Sequence, residues 1–469
     1  MLATAGAAVA AIAGARWWGG EPPLAEADRD ARTNAERFDR GLVPVERSGW
    51  TMPAGVEPPY PALAADIDVA VLVVGAGLAG SSLALHLAEA GTPVAVLEAR
   101  QPGWGASGRN AGHVLPILRD ASVFETFPDK GKRFLEAFAE HRTITFDLPR
   151  KHGFAADAVR SGYVNAATSA DAIAKFRRET AWMEERGMLE VAELGGEELR
   201  EATGSAHWSH ALVYLDGGRV NPYRMTNGMA AAAARLGARI FGDSPAIAIE
   251  AVGNRWRVRT AKGSVSADRV VFCTNAYATD IVPQFATSFY PLTAYALTTK
   301  PLTPEARKLI MPGGQTLAQV PVDLNPLVVD EQGRLVLSSI PKVGGADDAR
   351  WHFANQMDWV HAMWPQTRDM GIELQTYWTG RVALRDRQFP GVFEVKPGLY
   401  GLMYFNAWRN LMAPLMGKLF ADGLARDRLG DLPFPLETPV AVSNMGKQDR
   451  IIRRLMIPAG RQAQRWRII

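Results

Sequence analysis

Between Asp66 and Glu98 the chain carries the pattern that most restricts its fold: an apolar run rich in valine, a glycine turn, a stretch of helical spacing closed by Gly91, and a second apolar run. Asp66 to Val74 has the composition of a strand buried on both faces. Ser81 to Ala90 has the periodicity of a helix, and Thr92 to Leu97 is a second buried strand. Strand, helix and strand in about thirty residues is a parallel βαβ unit. Its turn reads Gly75-Ala-Gly77-Leu-Ala-Gly80. Gly75 permits the tight turn, Gly77 admits a pyrophosphate against the backbone, and Gly80 lets the helix lie close to the sheet. The helix N-terminus offers N–H groups and partial positive charge to the phosphates. Glu98 follows Gly75 by 23 residues, where a carboxylate accepts from both ribose hydroxyls and repels a 2′-phosphate. The unit predicts a dinucleotide site that disfavours NADP.

At 469 residues the chain exceeds one ordinary core, so two domains are expected. Its 47% apolar and 22% charged residues are those of a soluble globular protein. No run reaches the roughly 18 uncharged apolar residues of a membrane-spanning helix. The net charge of +3 gives no reason to expect a nucleic-acid partner. A single cysteine, Cys273, excludes an internal disulfide, and the eight histidines show no HExxH spacing, so no metal is expected.

The ends differ from the middle. Leu2 to Ala15 is uncharged and Ala-rich, but it lacks a positive start and a twin arginine. It reads as part of an N-terminal extension or arm over residues 1–65, with a cleaved leader as the alternative. Residues 447–469 carry seven basic side chains against the single acid Asp449, a net charge of +6. Arg450 to Ile457 is basic and amphipathic, able to lie on an anionic surface or to contact a subunit. A solvated tail is the competing reading. The expectation is a cytoplasmic protein whose tail permits a peripheral contact at the inner membrane face.

The segment Gly103-Trp-Gly-Ala-Ser-Gly-Arg-Asn-Ala-Gly-His113 follows the ribose-binding acid. Its glycines let backbone run close past a large planar ligand, while Ser107, Arg109 and Asn110 can donate to phosphate or flavin oxygens. A flexible surface loop would not explain Arg and Asn between glycines at this place. With this segment, several stretches carry a family likeness: Pro59-Tyr-Pro-Ala-Leu63, Gly217-Gly-Arg-Val-Asn-Pro222, Ala267 to Tyr277, Tyr290-Pro-Leu-Thr293 and Tyr377-Trp-Thr-Gly-Arg-Val-Ala383. Over roughly residues 58 to 425 the chain resembles the D-amino-acid oxidase superfamily of FAD-dependent flavoproteins. The likeness is to its glycine oxidase, sarcosine oxidase and gamma-glutamylputrescine oxidase branch.

The resemblance implies an α/β fold with an α+β second domain. A discontinuous Rossmann domain of the glutathione-reductase type (66–150, 211–290 and 376–430) would bind FAD. A mixed-sheet substrate domain (151–210 and 291–375) would be inserted in it, with a basic tail over 431–469. Beside Gly75, Gly77, Gly80 and Glu98, the cofactor residues would include Ala99 and Arg100. Ser107, Arg109 and Asn110 would meet the pyrophosphate or flavin, Ala246 the adenine, and Thr274 and Asn275 the nucleotide. Arg409, Asn410 and Leu411 would approach the flavin from the last helix.

Two departures from the family pattern stand out. The small glycine-rich turn expected near the flavin is here Tyr404-Phe-Asn-Ala-Trp-Arg-Asn410, without glycine. Arg409 or the following helix N-terminus could then supply positive charge to a reduced flavin, or the bulk could reshape substrate space. Arg385 and Arg387 stand where Thr and Asp are usual and could fork an anionic substrate, or simply pair with Asp386.

The chemistry implied is oxidation of a primary or secondary amine or amino acid, with hydride passing to flavin N5 and hydrolysis of the imine. Oxygen, or a quinone or carrier at a membrane, would take the electrons. Arg409, Tyr377 and His113 are the candidate catalytic residues, with Tyr295 and Trp378 as further cage residues. A non-catalytic FAD-binding partner subunit is the rival class.

Overall fold

The computed structural model describes residues 48–50, 59–118, 120–320, 325–343, 349–385, 387, 389–405 and 409–465. Valines at 71 and 73 and leucine at 72 are fully buried in the Ile67–Val74 strand (β1), so both faces of β1 are covered. The Leu78–Glu89 helix (α1) leads into the Val94–Leu97 strand (β2), which pairs with β1 in parallel, Val71 opposite Val94. Helix α1 is buried along nearly its whole length between the Pro222–Arg235 and Arg409–Ala425 helices. A Cβ on Gly417 would stand 2.9 Å from the Ser82 side chain, so glycine is what lets the last helix approach α1 this closely. The Ser82 hydroxyl donates to the Pro414 carbonyl at 2.8 Å across that contact.

The sheet around β1 has nine strands. On one side of β1 lie β2 and then Arg239–Phe241, both parallel. On the other lies Ser264–Phe272, also parallel, followed by Leu399–Met403, Gly391–Lys396 and Leu436–Glu437. A hairpin of Ala248–Val252 and Arg255–Arg259 branches from Ser264–Phe272.

A second sheet of eight mixed strands runs in the order Leu374–Leu384, Tyr290–Thr299, Leu335–Ser339, Leu327–Val329, Thr316–Gln319, Tyr163–Ala167, His210–Tyr214, Val191–Gly195. The molecule is thus a mixed α/β fold with several sheets. Strands His210–Tyr214 and Leu374–Leu384 belong to this second sheet, through pairing with Tyr163–Ala167 and Tyr290–Thr299. Residues 211–214 and 376–384 therefore fall on the other side of the domain boundaries expected from the sequence. The cause is hydrogen-bond pairing over long sequence distances, which local pattern does not carry.

The tail also joins the body. Leu436–Glu437 extends the nine-stranded sheet, and Ile452 and Ile457 pack with Tyr290, Leu292 and Leu384 on the second. Arg385 and Arg387 both donate to the Glu437 carboxylate at 2.9 Å. Both are held by this acid of the tail.

Where the chain leaves the cofactor side, Phe124, Phe127, Phe134 and Phe389 form a cluster, with Phe134 stacked on Phe124 at 5.7 Å and edge-on to Phe389 at 5.1 Å. Phe134→Ala should cost about 3–5 kcal/mol. The expected result is a clearly lowered thermal midpoint, while Phe134→Leu lowers it much less.

Candidate functional site

A cleft of about 1010 Å³, open solvent included, lies at the carboxyl ends of β1 and β2. This is where an open parallel sheet binds ligands. Gly75, Gly77, Glu98, Ala99, Ser107, Ala246, Thr274 and Asn275, all expected at the cofactor from the sequence, line it. Gly75 has φ +105°, a conformation that side chains resist. A Cβ on Gly77 would stand 2.7 Å from Ser107 Oγ, and one on Gly80 would stand 1.9 Å from the Gly75 carbonyl oxygen. The first lets the Ser107 side chain close on the glycine turn, and the second sets the helix on the strand.

Glu98 closes the turn. Its carboxylate accepts from the Ala76 N–H at 2.7 Å and the Arg100 N–H at 3.0 Å. Burial pushes this carboxyl above the usual carboxylate range, against the lowering effect of those N–H groups. Ribose hydroxyls donating to the same carboxylate would favour its ionised form. Ser107 Oγ accepts from the Leu78 N–H at 2.9 Å, which ties the glycine segment to the start of α1. A bare cradle, a helix start and a buried acceptor fit a dinucleotide.

Other expected residues stand behind this lining. Gly80 is internal to α1. The Arg100 guanidinium lies over the Trp104 ring at 5.8 Å. Arg109 Nε donates to the Trp104 carbonyl at 2.6 Å and Nη1 to the Thr379 carbonyl at 3.4 Å, so this buried cation bridges to the eight-stranded sheet. Burial lowers its guanidinium below the ordinary value. Asn110 and Asn410, 300 residues apart, donate to each other's side-chain oxygen at 3.2 and 2.9 Å. Asn410 also donates to the His113 carbonyl at 2.8 Å. Leu411 is core. Arg409 begins the last helix, but its side chain, like residues 406–408 of the glycine-free turn, lies outside the described residues. The turn enters through Tyr404 at φ +65°, whose N–H donates to Asn275 Oδ1 at 3.1 Å. Asn275 itself has φ +49°, so two left-handed residues meet at the cleft.

Two residues of the arm reach the glycine segment, and a third is tied to Arg334. Ser48 Oγ donates to the Gly108 carbonyl at 2.8 Å, and the Trp50 indole N–H donates to the Asn110 carbonyl at 2.7 Å. Arg334 Nη2 donates to the Gly49 carbonyl at 2.9 Å. From the sheet side, the Trp378 indole N–H donates to the Arg109 carbonyl at 2.8 Å. Trp50 and Trp378 pack with Ala296, Val328 and Val336 as an apolar wall.

Consecutive strand residues face opposite ways, so Tyr377 does not share that wall. It stacks on His352 at 5.7 Å, and His352 stacks on Tyr295 at 4.4 Å, on the face covered by the Ala349–Met363 helix. Tyr377 and Tyr295, expected on the substrate side, are thus turned away from the glycine segment. Sequence reading passed over the arm contacts and Tyr277. Tyr277 lines the cleft, edge-on to Trp104 at 6.1 Å, with the buried Arg381 guanidinium 5.6 Å from its ring centroid. The aromatic residues inside the matching stretches were the available signal. Cys273 is a buried strand-end residue at the cleft, its thiol pushed up by burial.

His113 sits edge-on to Tyr163 at 5.5 Å, and both ring nitrogens are buried without a hydrogen-bond partner among the described residues. Burial lowers its pKa to about 3, so the imidazole is neutral and presents one donor and one acceptor.

The family model of FAD dependent oxidoreductases matches residues 70–423, more than half of the chain. A probable oxidoreductase OrdL of Rhizobium meliloti is 24% identical over 398 residues, spanning 81% of this chain and 89% of that protein. Gamma-glutamylputrescine oxidoreductase of Escherichia coli is 28% identical over 389 residues, spanning 80% and 90%. The glycine oxidase structure from Bacillus cereus superposes with a TM-score of 0.62 at 20% identity, covering 76% of this chain and 95% of that one.

Two outcomes follow from the geometry. Trp50→Phe keeps the ring and removes one buried N–H donor, worth about 1 kcal/mol. Dinucleotide release, followed by fluorescence, should become severalfold easier. For His113, a folded value of about 3 lies below the ordinary 6.5. The unfolded chain therefore binds the proton more tightly, and stability is full above pH 6.5 and lost as pH falls toward 3. The slope is about 1.4 kcal/mol per pH unit for one proton. Acid unfolding of His113→Phe should be shallower across that window, and an unchanged slope would refute this account.

Proposed function

The chain belongs to the FAD dependent oxidoreductase family, and from that premise we propose that it oxidises a primary or secondary amine or amino acid. The cofactor is FAD, carried on a nucleotide domain of the glutathione-reductase type. The observation that carries the reading is the glycine segment, which forms one wall of the dinucleotide cleft and is bonded on its other side to the eight-stranded sheet through Arg109 and Trp378. The gamma-glutamylputrescine oxidoreductase match spans both sides of that junction. Bound FAD supplies a hydride acceptor at N5 for the C–H next to nitrogen.

What this chain contributes is position and environment. The two tryptophans and the neutral His113 give the sheet side of the glycine segment an apolar lining, with the buried Arg109 guanidinium, a cation, beside it. An ammonium entering such surroundings loses hydration, which lowers its pKa and favours the neutral amine the oxidation requires. His113 offers one hydrogen-bond donor and one acceptor to a bound group without competing for its proton. The imine product leaves for hydrolysis in water. Oxygen, or a quinone or carrier, takes the electrons.

An anaerobic screen of amines and amino acids against the FAD-loaded protein tests the reading. At least one compound should bleach the flavin absorption bands. Failure of every amine would overturn the reading and favour an FAD-binding subunit without turnover. Peroxide formed in air, compared with reduction of an added quinone, then separates an oxidase from a dehydrogenase.

A further inference from the structure

The C-terminal helical stretch 445–465 lies along the eight-stranded sheet and cannot turn about its axis. Ile452 and Ile457 are 8% and 7% exposed against Tyr290. Arg461 donates to Ser339 Oγ at 2.9 Å and the Pro341 carbonyl at 3.3 Å. That fixes which residues face out. Lys447, Arg450, Ile451 and Leu455 are all exposed and fall at spacings of three and four, along one side of the helix. Ile451 and Leu455 are 41% and 43% exposed. Among the described residues, three of the nine exposed large apolar side chains (Val440, Ile451 and Leu455) fall within 440–455, so this exposure is concentrated rather than scattered.

We propose that this outward stripe docks the protein on an anionic phospholipid surface. Two apolar side chains beside two cations suit the boundary between headgroups and acyl chains, where long basic side chains reach back to phosphate. The complementarity is of charge: Lys447 and Arg450 stand on the stripe, within a tail (447–469) of net charge +6, and anionic lipid attracts about 1 kcal/mol per basic residue near the surface. No helix among the described residues is long and apolar enough to cross a membrane, so the contact is peripheral. Docking would bring the flavin domain to a lipid-soluble electron acceptor, and this purpose alone rests on the amine-oxidising reading.

The experiment is flotation of the full-length, FAD-loaded protein with vesicles of phosphatidylcholine alone or mixed with phosphatidylglycerol. Binding is expected only with the mixed vesicles and should weaken as salt rises. Lys447→Glu with Arg450→Glu, and separately Ile451→Ser with Leu455→Ser, should each weaken binding roughly tenfold or more. These sites are exposed, so flavin content and amine-dependent bleaching should stay unchanged. Absence of flotation, or flotation of both variants equal to that of the wild type, overturns the proposal. So does a wild-type dimer that Ile451→Ser with Leu455→Ser converts to monomer, because the stripe would then be an interface between copies. Flotation needs no turnover, so it can fail or succeed whatever the amine screen returns.

Discussion

A segment with four glycines in eleven residues is poor in side chains with which to hold itself, yet residues 103–113 must keep one shape beside a dinucleotide. Glycine gives up more conformational freedom on folding than any other residue. Here that cost is offset by donors brought to its carbonyls from far along the chain: Ser48 to Gly108, Trp378 to Arg109, and Trp50 to Asn110. The Asn110–Asn410 amide pair adds a fourth tie, and Ser107 a fifth to the start of α1. The arm, both sheets and the last helix all converge on this one strip of backbone.

That convergence explains why the two sheets act as one device. The glycine turn after β1 makes half of a dinucleotide site in many settings. It becomes half of a redox site only when another element covers the ligand's reactive end. In this chain Arg109 and Trp378 connect the strip to the Leu374–Leu384 strand, while Trp50 fills the angle between strip and sheet. Beyond the strip, indoles and a histidine that burial keeps neutral stand beside the buried Arg109 cation.

The βαβ unit, the glycine positions and Glu98 were legible because each rests on local physics: a period, a missing Cβ, a fixed offset. The family likeness was legible for the same reason, since it lies in short stretches. The direction of Tyr377 was not, because two adjacent strand residues look alike in sequence and only pairing decides which faces the glycine segment. The sequence left Arg385 and Arg387 between a substrate and a protein partner, because the acid they bond, Glu437, lies about fifty residues on, in a strand of two residues.

By itself, then, the sequence determined the strand–turn–helix and its dinucleotide site, since these depend on neighbours within about thirty residues, while FAD was implied by the family likeness over residues 58 to 425. Tertiary structure decided which side chains stand behind the glycine strip, which strands belong to which sheet, and how the basic tail is turned. Those are outcomes of long-range hydrogen bonding and burial. Asn110 with Asn410, or Trp50 with Asn110, become partners only after both sheets have formed, and nothing in the spacing of either pair records it.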